Sequence, residues 1–302
     1  MLVRHSIPPV RRVLIYPRGD ASGALTACTW GANWLLERGV HVYVPDELHV
    51  RSELGFAPKV EFLAVGELGD GFDLVFALGG DGTLLRASRW VGDFGIPVVG
   101  VNMGELGFMS AFRGDEMADA LEAAVLGNLV WESRLRMRIE LTRGGAVHSV
   151  QNGCNDCYVK HGEIPRMLSL VTRVGGQHMG TYRADGLIVC TPLGSTAYNL
   201  AAGGPIVAPG TNTFTITPIC PHSLTHRPVV VAASHATEIT YAGPAEAGIV
   251  TLCIDGQRSI ALEVGDEIRI TRAEMALKLC PPKASVFEVL ATKLGWSGPA
   301  RP

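Results

Sequence analysis

Residues 72 to 88 read FDLVFALGGDGTLLRAS, and the reading of this stretch decides the fold. Asp73 to Leu78 has the length and composition of a buried strand, and the apolar residues after Thr83 recur at helical spacing. Gly79, Gly80 and Gly82 therefore stand where a strand hands over to a helix. Backbone N–H groups and the positive helix terminus suit an anion there, and glycine lets the backbone approach it closely. No Gly-Lys-Ser/Thr follows, so the stretch is not a Walker A loop, and it is not a complete G-x-G-x-x-G. Asp81 is the distinguishing residue. A carboxylate beside a phosphate repels it unless a divalent cation intervenes or the carboxylate faces a hydroxyl. The competing reading is a tight turn in which Asp81 only caps the helix.

Outward from this stretch, residues 12 to 126 alternate strand and helix signals. RVLIY, VHVYV, DLVFAL and IPVVGVN read as strands. Leu25, Cys28, Ala32, Leu35 and Leu36 recur at helical spacing, TLLRASRWV is a short helix, and Met117, Ala120, Leu121, Ala124 and Val125 mark one face of another. Such alternation predicts a parallel, doubly wound sheet whose ligands sit beyond the carboxyl ends of its strands. Near Asn128 the character changes to short β-branched runs, among them MLSLVTRV, GLIVCT, TFTIT, PVVVAA, ATEITYA, GIVTLCI and EIRITRA, separated by Gly, Pro and Asn. A last helix, SVFEVLATKLGW, returns to the first domain. The expected organisation is an α/β domain of residues 1–127 with 284–302, and a β-rich domain of residues 128–283.

Composition narrows the function classes. A chain of 302 residues, 47% hydrophobic, can bury the cores of two domains. A formal net charge of −3 and the lack of a basic run give no footprint for nucleic acid. Seven scattered cysteines suit a reducing compartment better than a disulfide framework. The N-terminal MLVRHSIPPVRR has no signal-peptide pattern, and no apolar stretch is long enough to span a bilayer. The expected location is cytoplasmic.

Three further segments carry polar residues at strand ends. In residues 185 to 205, DGLIVCTPLGSTAYNLAAGGP, an apolar strand runs into Thr191-Pro192 and a small-residue turn before Tyr198. Small hydroxyl residues let a flat ligand lie on backbone, and Tyr198 offers a stacking face; a hairpin with a core tyrosine is the alternative. Cys154-x-x-Cys157 is a single pair, a weak zinc or redox signal. Between those cysteines, Asn155 and Asp156 set an amide beside an acceptor, a pair that can read the edges of a ribose or an amide. Asp255-Gly256-Gln257 reads on spacing alone as a hairpin turn.

Taken together, GGDGTLLRA, GVNMGELGF, CND, YRADGLIVCTPLGSTAYNLAAGGPIV, PICPHSLTHRPVVV and DGQ resemble the NAD kinase family over nearly the whole chain. GGDGT is shared with lipid kinases of the diacylglycerol, sphingosine and ceramide type, whereas the TP-x-GSTAY segment is not. The resemblance implies a Rossmann-like N-terminal domain, a β-sandwich-like C-terminal domain and a dinucleotide lying between them, in a homodimer or homotetramer. It also implies transfer of a γ-phosphoryl group from ATP, or in some members from polyphosphate, to the 2′-hydroxyl of the adenosine ribose of NAD, with Mg²⁺ or a similar ion. Carried over by position, Asp81 is the catalytic carboxylate and a possible metal ligand. Gly79, Gly80, Gly82 and Thr83 face donor phosphate, and Gly82 and Arg86 also border the dinucleotide. Asn155, Asp156, Arg166, Arg183, Asp185, Leu193, Thr196, Ala197, Tyr198, Asn199 and Gln257 line its site.

An ordinary Asp, with a reference pKa of about 3.9, is a feeble base towards a ribose hydroxyl. Phosphoryl transfer has a loose transition state in which positioning and charge neutralisation outweigh early proton removal. Asp81 is therefore expected to orient the acceptor hydroxyl and take its proton late. Three letters depart from the family pattern: Leu193 where Thr or Ser is usual, and Met103 and Glu105 in a loop that commonly reads N-T-G-H/R-L-G-F. They leave open another acceptor hydroxyl on a nucleoside or specialised metabolite. A non-catalytic dinucleotide-binding regulator is a further alternative, opposed by the intact GGDGT.

Overall fold

The computed structural model describes residues 3–48, 54–64, 66–104, 107–162, 167–244 and 248–296, which form two compact units, 1–133 with 277–302, and 134–276.

The first unit begins with β1 (Arg4–Ser6), β2 (Arg12–Pro17), α1 (Ser22–Leu36), β3 (His41–Pro45), β4 (Glu61–Leu63) and β5 (Leu74–Leu78). There follow α2 (Asp81–Val91), β6 (Val98–Asn102), β7 (Phe112–Arg113), α3 (Met117–Leu126) and β8 (Val130–Arg134). The strands line up as β1-β8-β21-β6-β5-β2-β3-β4, with β7 also paired to β6 and β21 arriving from the far end of the chain as Leu277–Leu279. Pairings β2–β3, β2–β5, β3–β4 and β5–β6 are parallel. β5 and β6 are buried at every residue, which is why they read as unbroken apolar runs. Helix α1 buries Ala24, Leu25, Cys28, Ala32 and Leu35, one stripe at helical spacing. Gly31 lets α1 approach α3, since a Cβ there would come 2.8 Å from the Met117 side chain. Helix α3 stops at Gly127, whose φ of 72° suits a left-handed cap.

The second unit holds β9 (Met137–Arg143), β10 (Ala146–Gly153), β11 (Asp156–His161), β12 (Leu168–Val174), β13 (Gln177–Ala184) and β14 (Gly186–Cys190). After a 3₁₀ turn at Leu193–Thr196 and the single-turn α4 (Tyr198–Ala201) come β15 (Thr213–Ile219), β16 (Val229–Ala232), β17 (Thr237–Tyr241), β18 (Val250–Ile254), β19 (Arg258–Leu262) and β20 (Glu267–Arg272). They make two antiparallel six-stranded sheets, β10-β9-β20-β17-β12-β13 and β16-β15-β14-β11-β18-β19. One apolar cluster draws on both, from Met137, Ile139 and Leu141 to Val159, Phe214 and Leu252. β9, β12 and β17 alternate buried and half-buried residues, the mark of a sheet with one face on a core.

The expected domain junctions lie a few residues from those of the two units because β8 and β21 look like members of the β-rich part yet pair into the first sheet. Helix α5 (Val286–Lys293) also belongs to the first unit and opens on a capping box, Ser285 accepting from the Glu288 N–H at 3.2 Å while Glu288 accepts from the Ser285 N–H at 2.7 Å. The seven cysteines form no disulfide, and all but Cys220 are buried. Among the described residues no helix is long and apolar enough to cross a membrane.

Candidate active site

In the first unit the chain leaves β5 through Gly79 and Gly80 and enters α2 at Asp81. Gly80 is the N-cap, so Asp81 is the first helical residue. Its carboxylate turns away from the helix and accepts two backbone N–H groups, from Phe108 at 2.9 Å and Met109 at 3.2 Å. The turn with a capping Asp81 is therefore not what forms. The carboxylate is instead clamped by the connection between β6 and β7, against which it lies so closely that a Cβ on Gly107 would overlap it. Gly79 is confined in the same way, since a Cβ there would overlap Thr83 and stand 3.1 Å from the Arg18 side chain. Gly80 and Gly82 border open space, a Cβ on either meeting nothing within 4 Å, and Arg86 is exposed one turn further along α2. Thr83 is almost wholly buried behind this face. Helix α5 reaches the clamp as well, setting the Lys293 ammonium 4.9 Å from the Phe108 ring centre.

Of the departures in the clamp's loop, Met103 is half-buried and packs on the apolar core of the first unit. Glu105 lies outside the described residues, as does Arg166.

The second unit gathers a polar cluster at the ends of β11, β14 and β18. Asp255 does sit in the predicted hairpin turn, between β18 and β19, with a φ of 51°. Its carboxylate also accepts the backbone N–H groups of Cys154 at 2.9 Å, Asn155 at 2.7 Å and Asp156 at 3.2 Å. Thr191, just past β14, closes the other side: its hydroxyl donates to the Cys154 carbonyl at 2.6 Å and its N–H to the Asn155 carbonyl at 2.8 Å. Gly194 packs so tightly on the Asn155 backbone that no side chain fits there. Asn155 and Asp156 are thus presented by a turn fixed from both sides. Asn155, 8% exposed, leaves its side-chain oxygen without a hydrogen-bond partner, an acceptor that a ligand N–H or O–H would satisfy. Asp156 is 4% exposed, and burial together with the neighbouring Asp255 carboxylate pushes its carboxyl up to about 7.

Tyr198 is 38% exposed and meets the Tyr158 ring edge-on at 5.0 Å. Burial raises the pKa of its hydroxyl, with smaller contributions from Asp156 and Asp185, so those carboxylates share its surroundings. Leu193, Thr196, Ala197, Asp185 and Gln257 are half-buried, and Arg183 is exposed at the end of β13. Asn199 needs correction. It is 0% exposed, its amide donates to the carbonyls of Ser195 at 3.1 Å and Pro205 at 3.0 Å, and its oxygen accepts from Thr217 at 2.7 Å. That amide braces the turn from inside and does not face a ligand. The Cys154-x-x-Cys157 spacing is absorbed by the same turn, and among the described residues no three metal-ligating side chains converge. Asp255, Thr191 and Gly107 are the supporting residues missed by sequence reasoning. Their only signal was membership in the quoted segments.

A parallel α/β unit with a clamped carboxylate at a glycine turn is joined in sequence to a β-sandwich with a half-exposed tyrosine and an unsatisfied amide oxygen. Residues 13–129 match the ATP-NAD kinase N-terminal domain and residues 154–281 the ATP-NAD kinase C-terminal domain. An NAD kinase of Geotalea daltonii is 40% identical over 264 residues, 87% of this chain and 90% of that protein. Yeast NADH kinase, solved in complex with NADH, is similar with a TM-score of 0.89 at 25% identity, over 97% of this chain and 89% of that one. An NAD kinase from Archaeoglobus fulgidus, solved with ATP, shares the fold with a TM-score of 0.65 at 24% identity, over 94% of this chain and 98% of that one. The chain belongs to the ATP-NAD kinase family, and with it is a phosphotransferase.

Proposed function

We propose that the chain transfers the γ-phosphoryl group of ATP to the 2′-hydroxyl of the adenosine ribose of NAD, giving NADP, ADP and a proton. The observation that carries this reading is the Asp81 carboxylate, held by two backbone N–H groups beside the open glycine face at the start of α2. So held, it accepts the acceptor hydroxyl in a fixed direction and takes its proton as the new P–O bond forms and the bond to the ADP oxygen breaks. Gly80 and Gly82 leave room for donor phosphate, with Gly79 and Thr83 packed behind them to shape the turn and Arg86 beside them. In the second unit Asn155 and Asp156 take hydroxyl or amide edges of the dinucleotide, Tyr198 stacks on a ring, and Arg183, Asp185, Leu193, Thr196, Ala197 and Gln257 complete its surroundings. Arg166 is assigned there by the family resemblance alone.

The residues fit a Mg²⁺ ion that arrives on the phosphates, which takes one or two carboxylates and the rest of its oxygens from substrate and water. Asp81 is the candidate protein ligand, and each of its oxygens keeps a lone pair beyond the one given to an N–H. Bound there, the ion would neutralise charge on the transferring group. Purified protein with ATP, Mg²⁺ and NAD should form NADP, read by an NADP-specific dehydrogenase, and chelation should stop it. Persistent absence of NADP, with turnover of another hydroxyl in its place, would overturn the acceptor assignment.

A further inference from the structure

The sheet of the first unit has an end that the kinase reading leaves unused. β5 and β6 lead to Asp81 and its clamp from their carboxyl ends, the side on which open α/β sheets take ligands. At their amino ends, ahead of Leu74 and Val98, lies a cavity of about 250 Å³. That is just below the range of about 300–1,000 Å³ usual for drug-sized ligands, which suits an occupant smaller than a nucleotide.

Its floor is apolar. Ile7, Phe72 and Ile96 are buried there, and Phe94, 47% exposed, offers a ring that a ligand would cover. Three charged groups line it as well. Lys278 is half-buried, lays its ammonium 4.8 Å from the centre of the Trp131 ring, and forms no ion pair among the described residues. Asp73 is anchored by one oxygen: Oδ2 accepts the N–H groups of Arg11 at 2.7 Å and Arg12 at 2.8 Å, while Oδ1 accepts none among the described residues. Asp70 stands on the exposed turn just before it, also without an ion pair among the described residues.

Charges of both signs thus border one apolar floor without pairing with each other, and they select a ligand. A simple anion faces two carboxylates, and a simple cation leaves Lys278 unanswered. A nucleotide brings more negative charge than one ammonium offsets. A zwitterion answers both signs: its carboxylate takes Lys278, its ammonium takes Asp73 Oδ1 and Asp70, and an apolar side chain covers the floor and Phe94.

We propose that this cavity is a second ligand site, for a free α-amino acid with an apolar side chain, lying a strand's length from Asp81. It uses no residue assigned to NAD or ATP and is independent of the kinase reading.

The test uses the full chain and ligand-observed NMR. L-leucine and L-phenylalanine should bind saturably, and their binding should survive saturating NAD or AMP-PNP. In the wild type, 3-phenylpropanoate, which lacks the ammonium, and phenethylamine, which lacks the carboxylate, should each bind at least about tenfold more weakly than L-phenylalanine, the worth of one charge-assisted hydrogen bond. Lys278→Met keeps an apolar stem against Trp131 without the charge, and Asp73→Asn keeps an oxygen for the Arg11 and Arg12 N–H groups. Each should weaken L-phenylalanine binding by a similar factor with the melting temperature little changed. The proposal is overturned if no saturable binding appears, if either analogue binds as tightly as the amino acid, or if NAD or AMP-PNP displaces it.

Discussion

Asp81 and Asp255 use the same device to opposite ends. Each is a carboxylate that accepts N–H groups from a backbone turn remote in sequence, two for Asp81 and three for Asp255. Asp81 is half-exposed beside a glycine face open to ligand, so its clamp directs a group that remains available. Asp255 gives its oxygens to the turn itself and passes the effect on, since its charge helps hold the neighbouring Asp156 near neutrality. On the proposed function, one clamp positions a carboxylate for chemistry, while the other builds a surface for ligand. Counting N–H contacts alone does not separate the two; what stands next to the carboxylate does.

Four substitutions test this contrast. Asp81→Asn should lower kcat by about 10³-fold or more, with dinucleotide binding by calorimetry nearly unchanged. Near-normal turnover would remove Asp81 from the chemistry. Asp255→Ala should act on stability first, costing on the order of 3 kcal/mol in denaturant unfolding because three N–H groups lose their acceptor. A stable variant that loses only turnover would make Asp255 a catalytic group and erase the distinction. Gly107→Ala forces a methyl group against the Asp81 carboxylate, so kcat should fall about 10²-fold with little change in melting temperature. An unaffected kcat would mean that the clamp does not fix the carboxylate.

The smallest effect is one of pH. Asp156 ionises near 7 in the folded protein and near the ordinary 3.8 when unfolded, so the folded state holds an extra proton between those values. Its contribution to stability is full below the lower value and is lost as pH rises through the upper one. Asp156→Asn should flatten this dependence and, at pH 8, exceed the wild type in stability by up to about 2 kcal/mol. An unchanged slope would move the proton elsewhere.

Much of the α/β unit was legible because its strands are buried on both faces and its helices carry one apolar stripe: β2, β3, β5, β6 and α1 to α3 stand where the periodicity placed them. The short strands β1, β4 and β7 were not, as two or three residues leave no period to read. β13 was missed because its residues are mostly exposed or half-buried and Gln, His and Gly interrupt its alternation. β8 and β21 have ordinary strand patterns, but which sheet a strand joins is a matter of pairing, and pairing leaves no local mark. The site divides in the same way. Asp81, the Asn155-Asp156 pair and Tyr198 announce themselves by residue type beside glycine or at a strand end. Asp255 and Gly107 do not, because their roles arise from contacts 101 and 26 residues away in sequence, from Asp255 to Cys154 and from Gly107 to Asp81. Asn199 shows the opposite error, a polar residue in the right segment whose side chain points into the turn it supports.

The contact of Lys293 with Phe108 ties helix α5 to the loop that clamps Asp81. A cation over an exposed ring is worth about 0.5–1 kcal/mol, so the tie is a weak one. A fusion placed after Lys293 would be felt first at Phe108, whose N–H holds the Asp81 carboxylate.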